Sequence, residues 1–382
     1  MRFLHTADWH LGRLFHSRSL VDDQAHVLDQ LVALVRDTRP DAVLIAGDVY
    51  DRAVPPPEAV NLLDDTLSRI VIGEGVPVIM IAGNHDSPDR LGFGSRLLAA
   101  RRLTIASRPR ADVEAVAFDD AHGRVVVYPL PYSEPAVVRD AFALDTADHD
   151  VALGRQLDAV RARHRTGDRS VVLAHAFVAG GAASESERPL SVGGSGAVAS
   201  GRFAGFDFVA LGHLHRPQRL GAENIGYSGS LLKYSLSEAD HDKSVSLVEL
   251  GAAGDVRVEH VRLTPRRDLR VIHGELAALI AAGREDRGCD DYVFASLADT
   301  GALLDPVARL REVYPNVLGC ERVVLGRGGT TRSAAPARRE LDTAQLFGDF
   351  FREVTGEPLA DPARQMLVAV IDGLEVAGRE AQ

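Results

Sequence analysis

Cysteine, lysine and long apolar stretches are scarce in this sequence. Its 382 residues include two cysteines, Cys289 and Cys320, and these do not have the spacing of a zinc site. We expect reduced thiols, with one disulfide between them as the alternative. No run reaches the roughly 20 apolar residues of a membrane helix, and no signal-peptide pattern precedes Asp8. We therefore expect a cytoplasmic protein with no membrane partner.

The charge of the chain is negative and its basic residues are almost all arginine. The formal net charge is −11, and among the 43 basic residues only Lys233 and Lys243 are lysine. The negative total argues against a protein that coats nucleic acid by charge alone. It is compatible with an enzyme whose bound metal ions bring positive charge to a phosphate. We attribute the arginine preference to genome composition rather than to function.

The first two thirds of the chain predict an α/β domain over residues 1–265. Apolar runs alternate with stretches of helical periodicity, such as the one that contains Leu28 and Leu31. Nearly continuous apolar runs are typical of strands that are buried on both faces. The predicted strands include residues 42–46, 78–82, 125–128, 171–174 and 206–211.

The remaining segments predict smaller units. Residues 179–201 are rich in glycine, alanine and serine, which indicates a long mobile surface loop. Residues 245–261 predict a strand pair, and residues 266–325 predict a small α+β unit that begins with a βαβ pattern. Residues 326–340 predict a linker. Residues 341–382 predict two short amphipathic helices, which must pack on the body or on a partner because they cannot fold alone.

Five polar clusters lie directly after strand-like runs. In an open α/β sheet, the carboxyl ends of the strands are where ligands bind. The clusters are Asp8-Trp9-His10, Gly47-Asp48-Val49-Tyr50-Asp51, Gly83-Asn84-His85-Asp86, Ala174-His175 and Gly212-His213-Leu214-His215. Taken alone, a Gly-Asp pair is usually a turn, and an isolated histidine is usually a satisfied core residue. Taken in this order, the clusters predict a two-metal phosphoesterase site at one edge of a sheet.

The clusters supply the ligand types that such a site needs. Two metals ~3.5 to 4 Å apart can clamp a phosphate and activate a water. Asp48 is the candidate bridging ligand, because the two oxygens of a carboxylate can serve two ions. Asp8 and His10 stand two residues apart, so in extended backbone they would point the same way, toward one ion. Asn84 offers a carbonyl oxygen, and mixed nitrogen and oxygen ligands suit Mn, Fe or Zn.

His85 and Asp86 are predicted to act beside the metals rather than to bind them. His85 adjoins Asn84 and cannot easily coordinate the same ion, which leaves it free as an acid or a phosphate contact. Asp86 is expected to hydrogen-bond to His85 and orient it. Trp9 and Tyr50 favour packing over substrate contact.

Arg13, His16 and Asp51 are candidates for contact with DNA. Arg13 and His16 follow the first cluster, where a solvated loop is the more common role for such residues. Asp51 is open between a supporting role, a turn and a substrate contact.

The five clusters resemble the calcineurin-like metallophosphoesterases, whose motifs run D-x-H, G-D-x-x-D, G-N-H-D/E, H and G-H-x-H. More narrowly, the chain is similar to the SbcD family of bacterial nuclease subunits, which are relatives of the Mre nucleases. The likeness is closest over the first two thirds of the chain. It is carried by residues 3–12, 46–51, 82–87, 211–215 and 227–235.

The resemblance implies a fold, a ligand set and a metal. The fold would be a sandwich of two mixed sheets flanked by helices, with a small α+β capping domain and a C-terminal helical tail. His85 would be the catalytic histidine that assists the leaving group, and the metals would be two divalent ions, usually manganese. One ion would be held by Asp8, His10, Asp48 and His215, and the other by Asp48, Asn84, His175 and His213.

The resemblance also implies partners. The tail would bind an SbcC-type ATPase, and the chain would form a homodimer within a heterotetramer that acts on DNA. Archaeal relatives often carry a histidine where this chain has Asp51, so a phosphate-contact role does not transfer to that position.

Three functions follow as alternatives. The first is a Mn-dependent DNA nuclease, both exonuclease and endonuclease, that cuts duplex ends and hairpins with an SbcC-type ATPase in repair and recombination. The second is a phosphatase or small-molecule phosphodiesterase. Against it, Asp51-Arg52 is followed by Ala53 instead of the glycine of the Ser/Thr phosphatases. The third is a metal-free interaction scaffold, against which the intact ligand set argues.

Overall fold

Two six-stranded mixed sheets form the centre of the protein in our computed structural model. The strands of these sheets are β1 Arg2–Thr6, β4 Ala42–Ile45, β5 Val78–Ile81, β6 Leu103–Ala106, β7 Val116–Asp120, β8 Gly123–Leu130, β9 Arg169–His175, β10 Phe208–Gly212, β11 Gln218–Arg219, β12 Ile225–Tyr227, β13 Ser244–Leu250 and β14 Val256–Arg262. A separate hairpin pairs β2 Leu14–Phe15 with β3 Arg18–Ser19.

The two sheets have the strand orders β14-β13-β1-β4-β5-β6 and β11-β12-β10-β9-β8-β7. In the first, β1 is parallel to β4 and antiparallel to β13. In the second, β9 is parallel to both β8 and β10. Parallel neighbours bring the carboxyl ends of β1, β4, β5, β9 and β10 to the same end of each sheet. The predicted α/β sandwich of two mixed sheets is confirmed.

The strands are buried on both faces, as their apolar character predicts. In β4, Val43 and Ile45 pack with the helices on the outer face of the first sheet. Ala42 and Leu44 of the same strand pack in the layer between the sheets, where Phe208 of the second sheet lies. The alternation of side chains along a strand therefore places every residue of β4 in one core or the other.

Helices cover the outer faces of the sheets. The longest of them in the first unit is α1, whose buried stripe includes Val27, Leu28, Leu31 and Val35 at helical spacing. The described helices are α1 Val21–Thr38, α2 Pro57–Ser68, α3 Pro88–Leu91, α4 Ser95–Ala99, α5 Pro135–Phe142, α6 His149–Arg161, α7 Leu276–Gly283, α8 Pro306–Arg311 and α9 Asp361–Glu380. Short turns of 3₁₀-helix lie at Ser200–Phe203 and Leu236–Glu238, and a π-helical turn follows α2 at Arg69–Gly73.

A third sheet contains three parallel strands, β15 Leu269–Gly274, β16 Tyr292–Leu297 and β17 Val317–Arg322. Helices α7 and α8 supply its own small core. Leu269 and Tyr292, at the starts of β15 and β16, also pack into the core of the first large sheet. The predicted βαβ pattern is confirmed, and Cys289 and Cys320 within this unit are not bonded to each other.

The structure describes residues 1–145, 148–188, 190, 196–221, 224–300, 303–322, 347–348, 351–352 and 358–380. The chain divides into two units, Met1–Val324 and Leu325–Gln382. In the second unit, α9 confirms the second predicted tail helix. The predicted linker lies outside the described residues, as does the first tail helix apart from 347–348 and 351–352. No helix of the described part is long and apolar enough to cross a membrane.

The two large sheets approach each other most closely beside the polar clusters. A methyl group on Gly212, at the end of β10, would lie 1.9 Å from the carbonyl oxygen of Ala46, which follows β4. Glycine is therefore required here for the backbones to meet.

We predict that Gly212→Ala destabilises the protein, because the added methyl group forces the two sheets apart. Overpacking of this kind typically costs about 1 to 3 kcal/mol. Gly226→Ala in β12 is the matched control, since its methyl group would find no atom closer than 3.9 Å. Urea unfolding of both variants checks the prediction, and equal losses in the two would contradict it.

Candidate metal centre

The polar clusters meet where the carboxyl ends of the two large sheets face each other. Asp8, Asp48 and Asn84 follow strands β1, β4 and β5 of the first sheet. His175 ends β9, and the His213–His215 segment follows β10 of the second sheet. The sequence predicts one sheet edge, whereas the site is built from the edges of two sheets. Each sheet contributes part of the ligand set, so the site exists only when the sandwich has closed.

Left-handed backbone turns the first-sheet side chains into the site. The φ angles of Asp8, His10 and Asp48 are 52°, 46° and 48°. The expectation that Asp8 and His10 share a direction because they are extended is therefore wrong. Their backbone amides instead donate to the loop after β4, from Asp8 N to Gly47 O at 3.1 Å and from His10 N to Asp48 O at 2.9 Å. These bonds hold conformations that cost of order 1 to 3 kcal/mol each.

One group of ligand atoms forms around His10 and His215. Their Nε2 atoms lie 3.1 Å apart, and the Nε2 of His10 lies 3.6 Å from Oδ2 of Asp48. Ligand atoms of Asp8, His10 and His215 all lie within 4.8 Å of one another. The buried Nδ1 of His10 has no hydrogen-bond partner and lies 3.6 Å from Oδ1 of Asp51. A hydrogen on that Nδ1 leaves the two Nε2 lone pairs facing each other, an arrangement that a cation would relieve.

A second group of ligand atoms forms around His175 and Asn84. The Nδ1 of His175 lies 2.8 Å from the carbonyl oxygen of Ala46 and must donate to it, which leaves a lone pair on Nε2. That Nε2 lies 3.0 Å from Oδ1 of Asn84 and 3.6 Å from Oδ1 of Asp48. Oδ1 of Asn84 is also 3.2 Å from Nδ1 of His213. Acceptor atoms converge here on one point, which is the donor set of a cation site.

Asp48 stands between the two groups. Its Oδ2 faces His10 and its Oδ1 faces His175, each at 3.6 Å from the imidazole nitrogen. Gly83 packs against this carboxylate, and a methyl group there would lie 2.1 Å from Oδ1. The backbone amide of His85 also donates to Oδ1 at 2.9 Å. The carboxylate is therefore fixed in a position that suits a bridge between two ions.

Burial keeps the imidazoles neutral, as metal binding requires. Desolvation lowers the pKa of His10 and His175, and it lowers the pKa of His213 to about 3. Burial and the nearby charge of Asp48 raise the pKa of Asp8 well above its ordinary value. Burial would also raise the pKa of Asp48, but His175 and His85 lower it overall. Two buried carboxylates at this distance are stabilised together by bound cations.

Asp86 supports the backbone instead of orienting His85. Its carboxylate accepts from the amides of Val49, Tyr50 and Gly83 at 2.9 to 3.1 Å, so the prediction of a bond to His85 needs correction. His85 is instead oriented by the carbonyl oxygen of Asp51, 2.8 Å from its Nδ1. The backbone carbonyl reaches the ring because the loop after β4 folds back over it. Burial and the charge of Asp48 raise the pKa of Asp86 to about 7.

Of the candidate DNA contacts, Arg13 and Asp51 lie at the edge of the site. Nη1 of Arg13 lies 3.0 Å from Oδ1 of Asp51, and its guanidinium lies over the ring of Tyr234 at 4.9 Å. His16 packs against Phe15 in the hairpin of β2 and β3, with ring centroids 4.8 Å apart. The structure thus brings Arg13 and Asp51 together, and His16 lies further along the same hairpin.

Residues that the sequence did not single out surround the site. The hydroxyl of Tyr234 donates to the carbonyl oxygen of Trp9, and its ring packs on those of His10 and His215. Tyr234 lies in the 227–235 segment that carries part of the family resemblance, which was the available signal. Ser186 and Glu187 contact His215, so the predicted surface loop is in part a wall of the site.

Comparisons with known proteins identify the family. Residues 1–217 match the family described as calcineurin-like phosphoesterase, and residues 265–355 match the family described as type 5 capsule protein repressor C-terminal domain. The chain is 32% identical over 377 residues to SbcD, the nuclease subunit of SbcCD, from Staphylococcus saprophyticus, covering 98% of each protein.

Solved structures resemble the chain more distantly. A dimetal phosphatase from Danio rerio matches 69% of this chain and 96% of its own, with 16% identity and a TM-score of 0.42. A putative 5′-nucleotidase from Staphylococcus aureus matches 69% of this chain and 54% of its own, with 16% identity and a TM-score of 0.37. Scores this low carry no argument about the site. The two family matches and the full-length relative are sufficient: the chain belongs to the calcineurin-like phosphoesterases and, within them, to the SbcD family of nuclease subunits.

Proposed function

We propose that this chain is the nuclease subunit of an SbcCD-type complex and hydrolyses phosphodiester bonds of DNA at duplex ends and hairpins. The observation that carries the proposal is the convergence of acceptor atoms on both sides of the Asp48 carboxylate. The full-length likeness to a nuclease subunit favours DNA over a phosphomonoester or a cyclic nucleotide as substrate. We propose that the protein acts in the cytoplasm, in DNA repair and recombination.

The proposed ligand set divides between the two groups of atoms. Asp8, His10, Asp48 and His215 would hold one ion, and Asp48, Asn84, His175 and His213 would hold the other. Manganese is the proposed metal, because mixed imidazole, carboxylate and amide ligands suit it better than calcium. When bound, the ions would supply the positive charge that a phosphodiester and an attacking water require.

His85 is the proposed catalytic residue. Its Nδ1 hydrogen is used on the carbonyl oxygen of Asp51, so only Nε2 can give or take a proton. The side chain is 14% exposed, whereas those of His10 and His175 are fully buried. Nε2 lies 3.9 Å from Oδ2 of Asp48, which places it beside both groups of ligands. We infer that His85 delivers a proton to the leaving oxygen of the DNA.

The residues at the edge of the site would guide the substrate. Arg13 and His16 are the proposed DNA contacts, because they lie on the loop and hairpin beside the metal ligands. Asp51 is better suited to support, since its carboxylate pairs with Arg13 and would repel a phosphate. Residues 266–325 would form a cap that shapes access to the site over the nuclease domain of residues 1–265.

We propose that the tail, residues 341–382, binds an SbcC-type ATPase. Helix α9 carries an amphipathic pattern and leaves Met366 and Val370 exposed. A short helix needs a partner for such a face. The family match that extends to residue 355 includes the first part of this tail.

Catalytic and ligand roles can be separated by two variants. We predict that Asp48→Ala loses both metals and all activity, because each ion loses a ligand. His85→Ala should keep two manganese ions per chain and lose turnover by about 10²- to 10⁴-fold, the usual contribution of a general acid. Cleavage of linear duplex and hairpin DNA with Mn²⁺, alone and with the ATPase, is measured together with metal content.

The exposed His122→Ala is the matched control and should behave as the wild type. Loss of metal from the His85 variant would show that His85 is a ligand. A wild-type protein that holds Mn²⁺ but cuts neither DNA, with or without the ATPase, would refute the proposed function.

We propose that the chain forms a homodimer through the α3–α4 segment, as part of a heterotetramer with the ATPase. Phe93 and Leu97 are 85% and 79% exposed there, which is unusual for large apolar side chains so close together. We predict that Phe93→Asp with Leu97→Asp gives a monomer with intact metal binding. Light scattering measures the mass, and Leu304→Asp, on another exposed apolar residue, is the control. A dimer that survives the double change would place the interface elsewhere.

A further inference from the structure

His215 differs from the other ligand histidines in how its ring is held. The ring of His175 is fixed by a backbone carbonyl, whereas Nδ1 of His215 contacts the side-chain hydroxyl of Ser186 at 2.6 Å. That hydroxyl in turn contacts Oε1 of Glu238. A chain of side chains from two distant segments therefore ends on this one imidazole.

The direction of each hydrogen bond in the chain follows from the donors available. Glu238 is fully buried, and its ionised carboxylate can only accept. The single hydroxyl hydrogen of Ser186 must then go to Glu238, so its oxygen accepts from His215. The hydrogen of His215 accordingly lies on Nδ1, and Nε2 presents a lone pair toward His10 and the site. The chain thus selects the tautomer that a metal ion requires.

Lys243 fixes the far end of the chain. It is one of the two lysines in the sequence and is buried, and its ammonium group has three hydrogens to donate. The acceptors are Oε2 of Glu238, Oγ of Ser230 at 2.9 Å and the carbonyl oxygen of His215 at 2.8 Å. The same ion pair therefore holds the backbone of His215 and, through Ser186, its ring. A buried pair with every donor used has little freedom to rearrange.

We propose that Ser186, Glu238 and Lys243 are positioning residues that set the tautomer and orientation of His215 for one of the two metal ions. The inference rests on the proposed metal site, and it assigns to the loop that contains Ser186 a role in metal affinity. Groups that hydrogen-bond to a ligand histidine typically change metal affinity by about 10- to 100-fold. Only the ion that His215 binds should respond.

The first test observes the tautomer without metal. Long-range ¹H–¹⁵N NMR of the metal-free protein should show His215 with its hydrogen on Nδ1. In Ser186→Ala the signal should move toward a mixture of tautomers, and Ser186→Thr should restore it because threonine keeps the hydroxyl. Ser184→Ala is the matched control, since the Ser184 hydroxyl is buried without a hydrogen-bond partner. A wild-type hydrogen on Nε2, or an unchanged tautomer in Ser186→Ala, would overturn the proposal.

The second test measures Mn²⁺ affinity by calorimetry on the same four proteins. Ser186→Ala should weaken one of two sites by about tenfold or more and leave the other unchanged, with the thermal midpoint of the metal-free protein preserved. Equal weakening of both sites, or a fall in that midpoint that accounts for the loss, would overturn the positioning role. A wild-type protein that binds no Mn²⁺ yet shows the Nδ1 tautomer would refute the proposed function and leave the assigned tautomer standing.

Discussion

Hydrogen-bond acceptors that face one another across the Asp48 carboxylate are the constraint on which the rest of the structure depends. Buried acceptors normally pair with donors, because an unpaired polar group costs free energy in an interior. Around Asp48, the imidazole nitrogens of His10 and His175 and the amide oxygen of Asn84 lie within 3.6 Å of another acceptor. A cation on each side of the carboxylate would convert this cost into stabilisation.

The fold supplies the rigidity that such crowding requires. The two sheets meet at Gly212 and Ala46, where no side chain would fit. The loops after β1 and β4 hold Asp8 and Asp48 in left-handed backbone through mutual amide bonds. Asp86 ties three further amides to the same loop region. The unfavourable backbone conformations are therefore held by the surrounding hydrogen bonds.

The sequence predicts the members of the site well because strand ends and spacing are local signals. The buried runs before Asp48, Asn84 and His175 identify strands, and parallel strands bring their carboxyl ends together. The same signals predict the βαβ unit and the second tail helix. The direction of the Asp8 and His10 side chains could not be predicted, since left-handed φ angles in non-glycine residues leave no pattern in the letters.

Contacts between distant segments are the other part that the sequence could not supply. Ser186 lies 29 residues from His215 and 52 from Glu238, and no periodicity connects them. The scarcity of lysine was attributed to composition, yet Lys243 is buried in contact with the backbone of His215. Asp86 was paired with its sequence neighbour His85, whereas the folded loop offers it three backbone amides. Hydrogen-bond partners of buried polar groups are fixed by the tertiary fold.

Anomalous diffraction from crystals of the manganese-loaded protein tests the central claim most directly. The account predicts two manganese peaks, one on each side of Asp48, with one carboxylate oxygen toward each ion. A single peak, or peaks that do not touch Asp48, would contradict it.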